Sequence, residues 1–210
     1  MKDERARKEL VHFGRLLYEK GLVSGLAGNI SLRMEGGRML ITPSGVCKGM
    51  LEAEKLVEID IATGEVAAGG RPSIETPFHL AFYRGRPDVG AVVHTHPEFC
   101  TVLALASERL RPALTPESLL YLGKDIPLIP YTTPGTEDLA RSIGEPMSWS
   151  NACLLEKHGA ITVGRDMREA FHRMEAMEFL AKLQYRVNVI GGAADLPPEE
   201  VARIMRSKLA

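Results

Sequence analysis

The amino-acid sequence predicts a single α/β domain over residues 1–210, with a central, largely antiparallel sheet flanked by helices. Two observations predict this class. Segments with helical spacing of apolar residues alternate along the chain with strand-like segments. No internal repeat, low-complexity tract or long linker divides the 210 residues, of which 45% are hydrophobic, so we expect one domain with a self-sufficient core.

The predicted helices carry apolar residues at helical spacing, and several have capping signals. The first helix has Leu10 and Leu17 on one stripe, and the longest spans 167–189 with Asp166 as its cap. The helix expected over 76–83 is predicted to begin after Ser73, which serves as its cap. The shorter helices are expected over 76–83, 98–106, 136–143 and, after a linker over 191–198, at the end of the chain. This last helix is expected to pack on a neighbouring subunit.

Strands are predicted where apolar and polar residues alternate, or where short apolar runs end at turns. Residues 29–33 alternate Ile30 and Leu32 with polar side chains, and 38–42 is the expected partner across a turn. The other predicted strands are 56–61, 89–96, 126–130, 151–155 and 160–163.

Composition and charge exclude two classes of function. The chain has 26 Lys and Arg against 27 Asp and Glu, a net charge of -1, which argues against a nucleic-acid-binding face and a polybasic membrane tether. No apolar run approaches the roughly 20 residues of a membrane-spanning helix, and the charged N-terminus lacks a secretory signal. The 3 cysteines are widely separated, which favours reduced thiols, so we expect a soluble cytoplasmic protein.

Histidines indicate a metal site. His94 and His96 follow an apolar run, and side chains two apart on a strand share a face, about 7 Å from each other. His158 also follows an apolar strand, and Glu75 stands where a loop enters a helix. Three imidazoles and one carboxylate suit Zn²⁺, and Mn²⁺ or Co²⁺ would suit the same ligands. The competing interpretation is a chance pair of histidines in which one imidazole bonds a backbone carbonyl.

The three remaining histidines are predicted to be structural. His79 lies one helical turn after Glu75 in an apolar stretch, and we expect a satisfied buried group rather than a ligand. His12 and His172 lie in charged helical stretches and are expected at the surface.

Three loops together predict an anion site. They are 28–29, 42–45 and 71–73, which combine small residues and hydroxyl groups. Ser73 also precedes a helix, whose N-terminus presents unpaired amides and a partial positive charge. Such residues are normal in turns, so each loop alone is weak evidence for anion binding. Their coexistence with a predicted metal site favours phosphate.

Five segments, taken in order, resemble the class II aldolase/adducin family. They are Gly28-Asn29-Ile30-Ser31, Thr42-Pro43-Ser44-Gly45, Arg71-Pro72-Ser73-Ile74-Glu75, His94-Thr95-His96-Pro97 and His158-Gly159. The resemblance covers nearly the whole chain. It implies a three-layer α/β/α sandwich that assembles as a homotetramer, with active sites at subunit interfaces.

The resemblance also implies roles for individual residues. His94, His96 and His158 become ligands of one Zn²⁺ per subunit, and Glu75 becomes the catalytic acid/base, which also approaches the metal in the absence of substrate. The implied phosphate site consists of Gly28, Asn29, Ser44, Gly45, Ser73 and the backbone amide of Ile74. The implied substrate is a phosphorylated small sugar.

The reaction implied is reversible aldol cleavage of a ketose 1-phosphate to dihydroxyacetone phosphate and an aldehyde. The same scaffold serves sugar-phosphate dehydratases, decarboxylases and epimerases, and the family includes adducin-like interaction modules without catalysis. Each of these functions stays open, and Glu117 is a candidate second acid for dehydration or decarboxylation.

The chain departs from the family pattern at several positions. Ile74 stands where aldolase relatives usually have a second serine, so one hydroxyl for the phosphate is missing. Aldolase relatives use two tyrosines; Tyr121 has no certain equivalence to one of them, and no tyrosine follows Tyr185. Leu119 falls where epimerase relatives have an aspartate, which counts against an epimerase.

Overall fold

The computed structural model describes residues 2–207, in which eight strands form one sheet. The strands are β1 (Asn29–Arg33), β2 (Arg38–Ile41), β3 (Val57–Asp60), β4 (Val66–Ala68), β5 (Ala91–Thr95), β6 (Leu128–Ile129), β7 (Ala152–Leu155) and β8 (Gly159–Gly164). Their order in the sheet is β4-β3-β2-β1-β5-β8-β7-β6. Every neighbouring pair is antiparallel except β6 and β7, which run parallel at one edge. The sheet is therefore mixed, and largely antiparallel as predicted.

Helices pack on both faces of this sheet. The α-helices of the described residues are α1 (Lys2–Glu19), α2 (Thr76–Gly85), α3 (Glu98–Leu105), α4 (Pro116–Leu122), α5 (Glu137–Gly144), α6 (Met167–Val189) and α7 (Pro198–Ser207). Ala91 and Val93 of β5 belong to one buried apolar cluster and Val92 to another, because side chains alternate across a strand. The first cluster includes residues of α1, α3, α4 and α6, and the second includes residues of α2 and α5.

The predicted helices and strands are confirmed in type and position, with ends that shift by one or two residues. Two elements were not predicted. β4 has three exposed residues, so no buried apolar alternation marks it. α4 is short, and its signal is local: the Thr115 side chain accepts a hydrogen bond from the Ser118 amide, as helix-capping residues do.

One prediction about a helix end is wrong. Glu75, not Ser73, occupies the capping position of α2, and the Ser73 hydroxyl instead accepts a hydrogen bond from the Glu75 amide at 3.2 Å. The last helix contacts α4 of its own chain, and in the segment before α7 the Leu196 amide donates to the Ala113 carbonyl at 2.8 Å. Its packing on a neighbouring subunit stays a prediction. Among residues 2–207, none of the helices has the length and apolar character needed to span a lipid bilayer.

The strand order brings segments that are far apart in the sequence together at the ends of three central strands. Asn29 of β1 lies opposite His94 of β5, and Thr95 of β5 lies opposite Ala160 of β8. The start of β1, the end of β5 and the turn before β8 therefore meet. Glu75 reaches the same place from the loop before α2.

Candidate functional site

His94, His96 and His158 form the centre of the site. Each presents one ring nitrogen, and these three atoms lie within 4.8 Å of one another. The Nε2 atoms of His94 and His96 are 3.1 Å apart, and the three ring centroids are 4.8–4.9 Å apart. The three histidines singled out in the sequence thus lie together in the fold.

The chemistry of this cluster, which we call the histidine trio, suits a divalent metal ion. His94 is fully buried, and its Nδ1 lies 2.9 Å from the Ala160 carbonyl, which only accepts hydrogen bonds. Nδ1 therefore carries a proton, and Nε2 faces the other two histidines and the Glu75 carboxylate. His94 thus bonds a backbone carbonyl and still offers a ligand atom. The buried Nδ1 of His158 has no partner within the described residues.

Burial keeps two of these imidazoles neutral, which is the form that binds metals. Burial, reinforced by the charge of His94, lowers the pKa of His96 to about 3. The same causes lower the pKa of His158 to about 4. Both side chains therefore present lone pairs rather than protons at neutral pH.

Glu75 adjoins the histidine trio and is almost completely buried. Its Oε2 lies 3.1 Å from His94 Nε2 and accepts a hydrogen bond from Asn29 Nδ2 at 2.7 Å, while its Oε1 lies 3.5 Å from His158 Nε2. Burial alone would raise the pKa of Glu75, but the charge and hydrogen bond of His94 outweigh it and hold that pKa below its usual range. Glu75 is thus an ionised carboxylate at the centre of the site.

A cavity of about 370 Å³ opens beside Glu75. It is lined by all six residues predicted for phosphate, namely Gly28, Asn29, Ser44, Gly45, Ser73 and Ile74, and by His96 and His158. Two of the loops pair with each other: the Ser44 amide donates to the Arg71 carbonyl at 3.1 Å, and the Ser73 amide donates to the Thr42 carbonyl at 3.2 Å. The predicted anion loops and the histidine trio therefore share one cavity.

Two glycines permit the close approach of these segments. Gly28 has a φ of 72°, and a Cβ at this position would lie 2.6 Å from the His94 carbonyl oxygen. A Cβ on Gly159 would lie 2.6 Å from Cδ2 of His96. Side chains at either position would push the loops away from β5.

The cavity also contains Lys48, for which the sequence predicts no role. It follows the loop at 42–45, lines the cavity and is only 2% exposed. Its Nζ donates to the Leu26 carbonyl at 3.0 Å and to the Val46 carbonyl at 2.7 Å, so it links two loops of the cavity. Burial lowers the pKa of Lys48 to about 8. In the sequence, only its position three residues after Gly45 links Lys48 to the predicted anion loops.

Three residues of α4 lie away from this cavity within the chain. Glu117 and Tyr121 line a second cavity together with His172. Leu119 is fully buried. None of the three adjoins Glu75 in the described part of a single chain.

The three histidines outside the trio have the environments that the sequence predicts. His79 is fully buried and hydrogen-bonded through both ring nitrogens. His12 and His172 are exposed. The contacts of His79 with Asn29 nevertheless connect it to the site.

Metal analysis is expected to detect one divalent ion per chain in protein purified without chelator. His158→Ala removes one of three imidazoles and should lose the ion, because the remaining pair cannot complete a tetrahedral site. His172→Ala, at an exposed position, is the matched control and should keep it. Elemental analysis measures both; a His158→Ala protein that retains its full metal content would contradict the assigned cluster.

Known proteins resemble this chain over most of its length. A family model described as Class II Aldolase and Adducin N-terminal domain matches residues 8–185. The 3-oxo-tetronate 4-phosphate decarboxylase of Pectobacterium atrosepticum is 37% identical over 186 residues, which are 86% of this chain and 84% of the relative. The 5-methylthioribulose-1-phosphate/5-deoxyribulose-1-phosphate aldolase of Rhodospirillum rubrum is 38% identical over 199 residues, 95% and 89% of the two chains. A solved L-fuculose 1-phosphate aldolase has a TM-score of 0.91 at 32% identity, covering 98% of this chain and 97% of its own.

Proposed function

The chain belongs to the class II aldolase and adducin family, and on this premise we propose that it is a metal-dependent enzyme that cleaves a carbon–carbon bond beside the ketone of a small phosphorylated sugar or sugar acid. The observation that carries the proposal is the single cavity in which Glu75 adjoins both the histidine trio and the predicted phosphate loops. A carboxylate between a metal site and an anion site is placed for proton transfer to a bound sugar phosphate.

The proposed metal ligands are His94, His96 and His158, which hold one Zn²⁺ per subunit, or Mn²⁺ or Co²⁺ in its place. Glu75 is a fourth proposed ligand when no substrate is bound, since its carboxylate lies beside two of the imidazoles. A divalent ion at this position supplies Lewis acidity, which stabilises negative charge on the oxygens beside the reacting carbon.

The phosphate is assigned to the loops at Gly28 and Asn29, at Ser44 and Gly45, and at Ser73 and Ile74. The amides of Ser44 and Ser73 are engaged in loop pairing, so these two residues offer their hydroxyl groups. Gly45 and Ile74 offer backbone amides, which compensates in part for the hydroxyl that isoleucine lacks. Binding of the phosphate orients the rest of the substrate toward Glu75.

Glu75 is the proposed acid/base. In the cleavage direction the protonated form of its carboxylate gives a proton to the carbon beside the ketone after the bond breaks, and the carboxylate then takes up a new proton from solvent. In the reverse direction the ionised carboxylate removes a proton from that carbon. Oε1 is the available oxygen, because it is buried without a hydrogen-bond partner within residues 2–207 while Oε2 is held by Asn29.

Two leaving groups suit this chemistry. In aldol cleavage of a ketose 1-phosphate, an aldehyde leaves and dihydroxyacetone phosphate is the other product. In decarboxylation of a 3-oxo-tetronate 4-phosphate, the compound named for the Pectobacterium relative, carbon dioxide leaves and the three remaining carbons are again dihydroxyacetone phosphate. Both reactions place one proton on the same carbon, so Glu75 serves either.

One observation favours decarboxylation as the second candidate. Aldol cleavage must also remove the proton from the hydroxyl group that becomes the aldehyde, and this step needs a second acid/base group. No tyrosine or second carboxylate lines the cavity in the described part of a single chain. Carbon dioxide leaves without such a transfer.

Epimerase, dehydratase and non-catalytic functions have less support from the geometry. Leu119 is buried and Glu117 lines a different cavity, so neither provides a second acid beside Glu75 within one chain for epimerase or dehydratase chemistry. A non-catalytic adducin-like module has no need of the histidine trio and the buried carboxylate beside it.

Assembly as a cytoplasmic homotetramer with active sites at subunit interfaces is part of the proposal. Leu26 and Ile74 support it, because these apolar side chains are 62% and 55% exposed at the cavity and suit contact with a second subunit. The three free cysteines support a reducing compartment. Light scattering measures the assembly, and a monomer would contradict it.

The half-reaction common to both candidates tests the function. The metal-loaded protein, incubated with dihydroxyacetone phosphate in D₂O, is expected to exchange one hydrogen of the hydroxymethyl carbon for deuterium, visible by proton NMR. Glu108→Gln, which changes an exposed glutamate, should exchange at the wild-type rate. Substrates of both types then separate the candidates: release of dihydroxyacetone phosphate with an aldehyde indicates aldol cleavage, and release with carbon dioxide indicates decarboxylation. Metal-loaded protein that neither exchanges nor cleaves would overturn the proposal.

A further inference from the structure

Five polar side chains form a buried ladder between β1 and α2. Tyr83 Oη lies 2.8 Å from Ser31 Oγ, which lies 2.6 Å from His79 Nδ1. His79 Nε2 lies 2.6 Å from Asn29 Oδ1, and Asn29 Nδ2 lies 2.7 Å from Glu75 Oε2. All five side chains are buried, so each contact is made without competition from water.

The ladder forms because the spacing of its residues along α2 nearly equals the spacing of its residues along β1. Glu75, His79 and Tyr83 are four residues apart at one face of α2, a rise of about 6 Å per step. Asn29 and Ser31 are two residues apart on one face of β1, about 6.7 Å per step. The contacts therefore alternate between helix and strand. The strand repeat continues at Arg33, whose guanidinium lies 4.9 Å from the Tyr83 ring centre.

The direction of each hydrogen bond follows from the Asn29 amide. Its NH₂ group donates to Glu75 Oε2, and its Oδ1, which can only accept, accepts from His79 Nε2. His79 Nδ1 then accepts from the Ser31 hydroxyl, which accepts from Tyr83.

Burial supports this order of donors. It lowers the pKa of His79 to about 3 and raises that of Tyr83, so His79 is neutral and Tyr83 keeps its proton. The neighbours facing His79 do not compete for its nitrogens: Phe78 stacks on the ring, and Glu75 and His94 lie near it without a hydrogen bond to it.

The ladder determines which oxygen of Glu75 is available. Asn29 holds Oε2, and Oε1 has no hydrogen-bond partner within the described residues. Rotation of the Asn29 amide would place its carbonyl oxygen against the carboxylate, and the Nε2 proton of His79 opposes that rotation because it needs Oδ1 as acceptor. Asn29 also lines the phosphate cavity, so the same amide adjoins both parts of the site.

We propose that His79 is a positioning residue: held in one tautomer by Ser31 and Tyr83, it fixes the Asn29 amide and thereby aims the Glu75 carboxylate at the substrate. This inference rests on the proposed function for the role of Glu75, but not for the tautomer of His79. His79 does not line the substrate cavity and acts through Asn29.

Two His79 variants test the proposal by kinetics. His79→Leu removes the donor, and should lower kcat and the deuterium exchange rate roughly 10- to 100-fold while KM and the zinc content change little. His79→Gln keeps an N–H group that can reach Asn29 and should recover most of the loss. A folded, zinc-loaded His79→Leu protein with wild-type kcat would overturn the role, as would a Gln variant as impaired as the Leu variant.

The tautomer is measured separately from activity. In ¹⁵N-histidine-labelled, zinc-loaded wild-type protein, His79 should show a protonated Nε2 and an unprotonated Nδ1 at neutral pH. Ser31→Ala removes the donor to Nδ1 and should allow the other tautomer to appear. A wild-type His79 protonated at Nδ1 would refute the ladder even if the enzyme is active. The expected tautomer in a protein that cleaves no sugar phosphate would instead leave the ladder intact and refute the function.

Discussion

Glu75→Gln should leave one metal ion bound per chain and lower turnover roughly 10²- to 10⁴-fold, the usual contribution of a general acid/base. Glutamine has nearly the same shape, and its carbonyl oxygen can still accept the hydrogen bond from Asn29. It cannot take up a proton at neutral pH, so the loss comes from proton transfer rather than from binding. The three histidines remain to hold the metal.

The measurements are kcat on the substrate identified by product analysis, the deuterium exchange rate with dihydroxyacetone phosphate, and metal content. Glu108→Gln controls for a change of charge at an exposed site. Near-native exchange by a metal-loaded Glu75→Gln protein would show that another group moves the proton. Loss of the metal together with activity would instead identify Glu75 as an indispensable ligand and not specifically as the acid/base.

Gly159→Ala is expected to weaken zinc binding roughly 10- to 100-fold, since overpacking a tight site typically costs about 1–3 kcal/mol. The added Cβ would lie 2.6 Å from His96 Cδ2 and 2.6 Å from the Thr95 carbonyl oxygen. Thr95 belongs to β5 in the sheet centre and cannot yield easily, so the imidazole of His96 or the turn that carries His158 must move. Either movement separates the ligand atoms.

Competition with a chelator measures the zinc affinity of this variant. Gly144→Ala is the matched control, because a Cβ at that glycine meets no atom within 4 Å. Unchanged zinc affinity in Gly159→Ala, with the fold intact, would show that the β7–β8 turn adapts and that close packing does not set the ligand geometry.

Local patterns predicted most of the fold. The alternation of Ile30 and Leu32 marks β1 because one side of that strand faces the apolar core, and the stripe through Met174 and Leu180 marks α6 for the same reason. The order of strands was not predictable from such patterns. It depends on packing between segments far apart in the chain, as when β1 lies between β2 and β5.

The part of the site that the sequence predicts is the part whose side chains suit a metal and lie close together in the sequence. His94 and His96 share a strand end, so their convergence follows from backbone geometry alone. Their approach to His158 and Glu75 came from the family resemblance, because nothing local links those segments. The role of His79 and the burial of Lys48 required the contacts between α2 and β1 and between the cavity loops.

The division of the site between strands and loops has an evolutionary consequence. The histidine trio is positioned by β5 and by the turn into β8, whereas Leu26, Ile74 and Pro134 border the cavity from loops. Loop residues can change without disturbing the core, so substrate preference can drift while the reactive centre stays constant. On the proposed function, substitutions at the cavity mouth are expected to change which sugar phosphate binds and to leave the histidine trio in place.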